Sequence, residues 1–308
     1  MKQNWTLEQV PDLKGKTIIV TGGNSGLGFE SVKVFAMKGA DVILASRDTD
    51  RGEESKNRIM RLYSKASIRV MQLDLADLSS VRQFAEAFKN SYHKLDIVLN
   101  NAGIMMPPYQ LTKDGFESQM GINHLGHFAL TGLLLDKIKR APGSRIVTIS
   151  SSGHKYGKMD FSNFLFENGR GYSPLKAYAR SKLCNLLFSY ELQRRFEATG
   201  LDAMALAAHP GVADTNLGRY IEKKLVVRMM LPLWKAFTQS AAMGALPGIR
   251  AAVDPQVKGS EYFGPGGYRE MKGYPVIVRS SKASQSNSDA KRLWELSEQL
   301  TGVVYAFQ

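Results

Sequence analysis

A short β-branched run, Lys16–Val20, leads straight into the loop TGGNSGLG (Thr21–Gly28). Phe29–Gly39 follows, with apolar residues at helical spacing before a glycine stop. A strand that enters a helix through a glycine-rich loop is the opening half of a βαβ unit, and nothing else in the chain constrains its fold as tightly. Gly22, Gly26 and Gly28 let the backbone turn and come close to a phosphate without a Cβ in the way. The N–H groups from Gly22 through Asn24, Ser25, Gly26, Leu27 and Gly28 can then be aimed at a pyrophosphate. The G-x-x-x-G-x-G spacing departs from the G-x-G-x-x-G template, and alone it also fits an ordinary strand–helix turn.

The same rhythm continues downstream. Asp41–Ser46, Ile68–Leu75, Leu95–Gly103, Ser144–Ser151 and Asp202–Gly211 read as strands. Thr49–Ser64 reads as a polar helix, and Ser79–Tyr92 as a helix opened by a serine cap. Ser260–Gly267 suits a last strand and turn. Ser286–Gly302 suits a capped amphipathic helix with Leu293, Leu296 and Leu300 on one stripe. The alternation predicts an α/β fold, a doubly wound and mostly parallel sheet with helices on both faces, in a single domain. Ligands then bind outside the carboxyl ends of the strands. Two stretches, Tyr156–Ser173 and Asn216–Pro247, read as additions to a compact core.

The 308 residues suffice for one large α/β domain. With 41 Lys+Arg against 28 Asp+Glu the formal charge is +13, a field that attracts phosphate-rich ligands or anionic lipid. The basic residues are scattered and accompany no nucleic-acid motif, so nucleic acid is not an expected partner. No apolar run approaches the roughly 20 residues needed to span a bilayer. The start, MKQNWTLEQV, lacks the apolar core of a signal peptide, and one cysteine, Cys184, allows no internal disulfide. Together these predict a cytoplasmic protein. Cys184 is expected to be a small buried helix residue.

Tyr178 and Lys182 stand four apart in SPLKAYARSKLCNLL, which puts phenol and ammonium on one helix face. Downstream of a phosphate-binding loop, the pair suggests a nicotinamide oxidoreductase with a tyrosine acid/base. A carboxylate at the end of the second strand would bind the ribose 2′-hydroxyl of NAD, whereas an arginine accommodates the 2′-phosphate of NADP. Ser46 and Arg47 stand there, with Asp48 expected to point away. NADP(H) is therefore expected over NAD(H). His124 and His127 sit three apart, but no third ligand has a plausible spacing, and no metal is expected. His209 is expected to be structural or a wall of the nicotinamide pocket.

The chain resembles the short-chain dehydrogenase/reductase family from about Leu13 to Gly302. The resemblance rests on TGGNSGLG, LDL (Leu73–Leu75), NNAG (Asn100–Gly103), ISS (Ile149–Ser151), Tyr178/Lys182 and HPG (His209–Gly211) with Thr215. Within the family, ASRD, INHLGHFAL, RIVTISSSGH and LWELSEQLTG look most like NADP-dependent retinol dehydrogenases and their bacterial relatives. The resemblance implies a Rossmann-type fold and a role for each matching position. Tyr178 would protonate the carbonyl oxygen, its pKa lowered by Lys182, which would also hold the nicotinamide ribose. Ser151, flanked by Ser150 and Ser152, would orient the substrate oxygen. Asn123 would hold a water linking Lys182 to solvent. Asp74 and Leu75 would meet the adenine, and Asn101, Ala102 and Gly103 would pass along the adenosine ribose. Pro210, Gly211, Val212 and Thr215 would cradle the nicotinamide carboxamide.

Twenty-six residues separate Ser151 from Tyr178, more than in many family members, so the loop 156–173 should sit at the mouth of the site. The segment 216–247 mixes Leu, Met, Trp and Phe with Lys223, Lys224, Arg228 and Lys235. It suits a lid over a hydrophobic carbonyl or alcohol substrate, or a peripheral membrane contact. Family likeness also implies a homodimer or homotetramer. Two other functions fit the same residues. One is reduction of an activated C=C bond, and the other is a non-catalytic NADP sensor.

Overall fold

The computed structural model describes residues 4–213 and 238–307. Strand β1 (Thr17–Thr21) is buried along its whole length. Ile18 and Val20 enter one apolar layer with Val32 and Phe35, while Ile19 enters the opposite layer with Val81 and Phe128. A strand covered on both faces reads as an unbroken apolar run, which is why TIIV belongs at the centre of a parallel sheet.

The other strands are β2 (Asp41–Ser46), β3 (Ser67–Gln72), β4 (Ile97–Asn100), β5 (Ser144–Ile149), β6 (Ala203–Ala208), β7 (Tyr262–Pro265) and β8 (Pro275–Ile277). They form one eight-stranded sheet in the order β3-β2-β1-β4-β5-β6-β7-β8. Every pairing is parallel except β7 with β8. The order reverses direction between β1 and β4, so a crevice opens at the carboxyl ends of those two strands. This is the expected doubly wound Rossmann-type arrangement.

Helices α1 (Gly26–Met37) and α2 (Thr49–Leu62) cover one face. On the other lies α3 (Leu78–Ser91). A continuous helical path follows β4: α4 (Ser118–Met120), a π-turn (Gly121–Leu125), α5 (Gly126–Leu133) and the short α6 (Leu135–Lys139). Helix α7 (Pro174–Thr199) lies along the same face as α3, and Gly200 ends it in the left-handed conformation. Helix α8 (Ala241–Val253) joins the α1 face, and α9 (Asn287–Thr301) covers α7 from outside. Trp294 of α9 stands edge-on to Phe128 at 5.1 Å and stacks on Phe188 at 5.9 Å. Cys184 is buried under α9, and burial pushes its thiol pKa far up, so it is an inert packing residue.

Several boundaries differ from expectation for local reasons. Strand β3 stops at Gln72 rather than Leu75 because the Asp74 carboxylate accepts from Ala76 N at 2.9 Å and turns the chain. Strand β4 stops at Asn100 because the next two N–H groups turn to the Thr21 hydroxyl. The cap of α3 is Asp77, not Ser79, since its carboxylate accepts from Ser79 N at 2.8 Å. Part of the supposed addition 216–247 is core: Leu246 of α8 packs in the layer beneath β1, with Pro247 inside the helix. Residues 216–237 lie outside the described residues. No helix among the described residues is long and apolar enough to cross a membrane.

Candidate active site

The loop after β1 is a tight glycine cradle. Gly22 and Gly26 have φ of 65° and 52°, a region that penalises any side chain. A Cβ on Gly28 would run into the Gly22 carbonyl oxygen and lie 2.7 Å from Asn101 Nδ2. Thr21 holds the neighbouring loop in place, its Oγ1 accepting from Asn101 N and Ala102 N at 2.9 Å each. Asn101 Nδ2 donates to Thr21 O at 2.8 Å. Ser25 precedes α1 without capping it through its side chain, so the first-turn N–H groups stay available to an anion. This cradle fits a dinucleotide pyrophosphate.

At the end of β2, Ser46 Oγ donates to Asp48 O at 2.8 Å, and the Asp48 carboxylate is taken up in capping α2 through Arg51 N. Asp48 is thus turned away from the crevice, as expected. Arg47 is exposed and forms no ion pair among the described residues. Asp74 and Leu75 lie in the turn after β3. Gly126 packs so closely on Leu75 that a Cβ there would stand 2.7 Å from the Leu75 carbonyl oxygen. Gly103 lies between the cradle and the next group of residues; a Cβ on it would stand 3.0 Å from Asn123 Oδ1 and 3.6 Å from Lys182 Nζ.

That next group gathers Asn123, Ser151, Tyr178 and Lys182 from the π-turn, the end of β5 and α7. Ser150 points back and donates to Lys182 O at 2.8 Å, which leaves Ser151 as the serine facing Tyr178. Ser151 Oγ accepts from Gly153 N at 3.1 Å. Tyr178 is buried, and desolvation raises its pKa while the Ser151 hydroxyl pulls the other way. Lys182 is also buried, and its Nζ donates to Ile149 O at 3.0 Å. Desolvation brings the Lys182 pKa down to about 8. Its Nζ is 5.8 Å from the Tyr178 ring centre. In the protein alone, burial dominates the shift of the tyrosine.

Asn123 is engaged wholly with protein through its side chain. Its Oδ1 accepts from Ile104 N at 2.9 Å, and its Nδ2 donates to Ile104 O and Ser181 Oγ. It ties the loop after β4 to α7. His127 Nδ1 lies 3.2 Å from the Asn123 main-chain carbonyl oxygen, and His127 Nε2 lies 2.9 Å from Thr21 Oγ1. His124 turns elsewhere, to Ser297 at 3.0 Å. Burial drives the pKa of both imidazoles to about 3, so both are neutral.

After β6, Gly211 has a φ of 65°, and Gln239 Nε2 donates to Pro210 O at 2.7 Å. Val212 N donates to Met271 O at 2.8 Å, so it is the Pro210–Gly211 turn that is left facing the crevice. Thr215 lies outside the described residues. His209 is buried, accepts from Gly211 N through Nδ1, and has Nε2 3.1 Å from Glu270, which gives it a structural place.

The loop 156–173 folds as short 3₁₀ turns held by a single arginine. Arg180, two residues after Tyr178, donates to Lys158 O, Asn163 O and Phe164 O and lies 4.1 Å over the Phe166 ring. Tyr172 Oη donates to Pro107 O at 2.8 Å and fastens the loop to the segment after β4. A basic residue between the Tyr and the Lys was the available signal for Arg180.

The short chain dehydrogenase family model matches residues 16–165. Human retinol dehydrogenase 14 is 38% identical, with the alignment covering 95% of this chain and 88% of that protein. Human WW domain-containing oxidoreductase is 40% identical, covering 94% of this chain and 69% of its own. Among solved structures, an uncharacterised protein from Mycobacterium paratuberculosis shares 40% identity over 99% of this chain and 100% of its own, with a TM-score of 0.82. A Pseudomonas aeruginosa RhlG/NADP complex, at 20% identity over 82% of this chain and 94% of its own, shares the fold with a TM-score of 0.65.

Proposed function

Because the chain belongs to the short-chain dehydrogenase family, an oxidoreductase family, we propose that it interconverts a hydrophobic aldehyde or ketone and its alcohol with NADP(H). The observation that carries this reading is the convergence of Ser151, Tyr178 and Lys182 beside the glycine cradle at the carboxyl ends of β1, β4 and β5. The retinol dehydrogenase relatives support an apolar substrate. The exposed Arg47 supports NADP over NAD.

The pyrophosphate would rest on Gly22–Gly28, the adenosine on Arg47, Asp74, Leu75 and the Asn101–Gly103 loop, and the nicotinamide against Pro210 and Gly211. A bound reduced nicotinamide supplies the hydride. Tyr178 gives its phenolic proton to the carbonyl oxygen, which its raised pKa keeps in place at neutral pH. Ser151 donates to the same oxygen and fixes its direction. Lys182 uses one N–H on Ile149 O, leaving two to hold the ribose and to stabilise the phenolate that remains. Asn123 holds the loop after β4 against α7 so that these groups keep their spacing.

In this proposal the enzyme is cytoplasmic. With the α7 outer face covered by α9, a homodimer or homotetramer would form through other surfaces. Fluorescence titration with NADPH and NADH, followed by turnover on apolar aldehydes, ketones and enones, tests the reading. NADPH binding with carbonyl turnover supports it. Binding without carbonyl turnover sinks it and moves the weight to enone reduction or to a silent sensor.

A further inference from the structure

An imidazole stands directly behind the serine. Ser151 opens a five-residue 3₁₀ turn, Ser152–Tyr156, and His154 lies in its middle, fully buried. His154 Nδ1 is 2.6 Å from Ser151 O, which also accepts from His154 N at 3.0 Å. On its far side, His154 Nε2 accepts from Ser281 N at 3.1 Å. A main-chain N–H can only donate, so Nε2 must be the bare nitrogen. Nδ1 then carries the proton and donates it to Ser151 O. Both ring nitrogens are used, in one neutral tautomer.

Burial disfavours the charged form of the ring, and the groups packed around it are defined. The Tyr262 ring of β7 stands edge-on at 5.7 Å. Lys155 from the same turn and His209 from the end of β6 both oppose a positive charge on the ring. Glu270 favours such a charge, but its carboxylate is already held by Lys155 at 3.3 Å and His209 at 3.1 Å. The ring's remote contact is equally defined. Ser281 caps the 3₁₀ turn Lys282–Gln285 that leads into α9, and Tyr190 Oη donates to the adjacent Ser280 Oγ at 2.9 Å. One imidazole thus joins the serine turn to the arm that carries α9.

The geometry points to His154 as a positioning residue for the reaction: its Nδ1–H fixes the Ser151 carbonyl, hence the turn that aims the Ser151 hydroxyl at Tyr178, and its Nε2 anchors that turn to the C-terminal arm. This rests on the function proposed above. His154 touches neither substrate nor cofactor; it acts through Ser151.

Asn and Gln at this position divide the two bonds. His154→Asn places its amide N–H near the Nδ1 position and keeps the donor to Ser151 O. His154→Gln reaches the Nε2 position and keeps the acceptor for Ser281 N. The expected result is a kcat close to wild type for Asn and roughly 10- to 100-fold lower for Gln, with NADPH affinity unchanged in both. The kinetic pKa of Tyr178 should rise in the Gln variant, because a displaced Ser151 no longer lowers it. A merely structural His154 would instead lower the melting temperature of both variants while leaving kcat and that pKa where they were, and this pattern overturns the proposal. A second reading uses ¹⁵N-histidine NMR of the wild-type protein at neutral pH. A proton on Nδ1 supports the bridge, and one on Nε2 refutes it. The NMR result stands whether or not the wild type turns over a carbonyl, so failure of the functional reading and failure of the bridge are distinguishable.

Discussion

Lys182→Met should leave the protein without turnover yet more stable at neutral pH. Burial lowers the Lys182 pKa from its ordinary 10.5 to about 8. At about 1.4 kcal/mol per pH unit, the folded state then carries about 3 kcal/mol of strain from the buried ammonium. The sign follows from proton counting. Between about 8 and 10.5 the unfolded chain binds the proton that the folded chain has lost, so stability rises with pH across that window, and below about 8 the penalty is present in full. Methionine matches the lysine stem in volume and removes the charge. The lost hydrogen bond to Ile149 O costs about 1 kcal/mol, because that carbonyl still accepts from Asn185 Nδ2 at 3.0 Å. The net expectation at pH 7 is a gain of about 2 kcal/mol, a rise of several degrees in Tm. Thermal melts of both proteins without dinucleotide, at pH 7, 8.5 and 10, provide the assay. The advantage of the variant should shrink as pH rises through that window. A variant that is less stable than wild type by the same amount at all three values would refute the burial argument.

Three more changes probe the rest of the site. Gly28→Ala forces a Cβ onto the Gly22 carbonyl oxygen, and calorimetry should show weakened NADPH binding together with a stability loss of roughly 1–3 kcal/mol. Arg47→Asp should move the kcat/KM ratio from NADPH toward NADH; an unmoved ratio would remove Arg47 as the reader of the 2′-phosphate. Arg180→Ala strands the carbonyls of Asn163 and Phe164. Limited proteolysis should then cut within 156–173, with a raised KM for bulky carbonyls and an unchanged Kd for NADPH.

The central strands were legible because β1, β2, β4, β5 and β6 are buried almost throughout and are bounded by glycines and caps. Helix α9 is the plainest case, capped by Ser286 and ended at Gly302 with a φ of 62°. Strand β8 was not legible: three residues long, with Val276 and Ile277 exposed, it carries no periodic burial signal. Asp77 and Ser79 are both good caps for α3, and only the fold decides between them. Leu246 and Pro247 looked like part of an added lid because an apolar helix of the core and an apolar lid have the same composition. At the site, Tyr178 and Lys182 stood out by spacing. The choice among Ser150, Ser151 and Ser152 did not, since it depends on which hydroxyl the end of β5 turns outward. His154 is silent in the sequence because its partner, Ser281, is distant, whereas Arg180 carries a signal only in its place between Tyr178 and Lys182.

The central claim is that Tyr178 is the acid of an NADPH-dependent carbonyl reduction. The direct test is Tyr178→Phe, with NADPH affinity and carbonyl turnover measured on the same preparation. Unchanged NADPH binding and loss of nearly all turnover are expected. Turnover retained at the wild-type rate would contradict the claim.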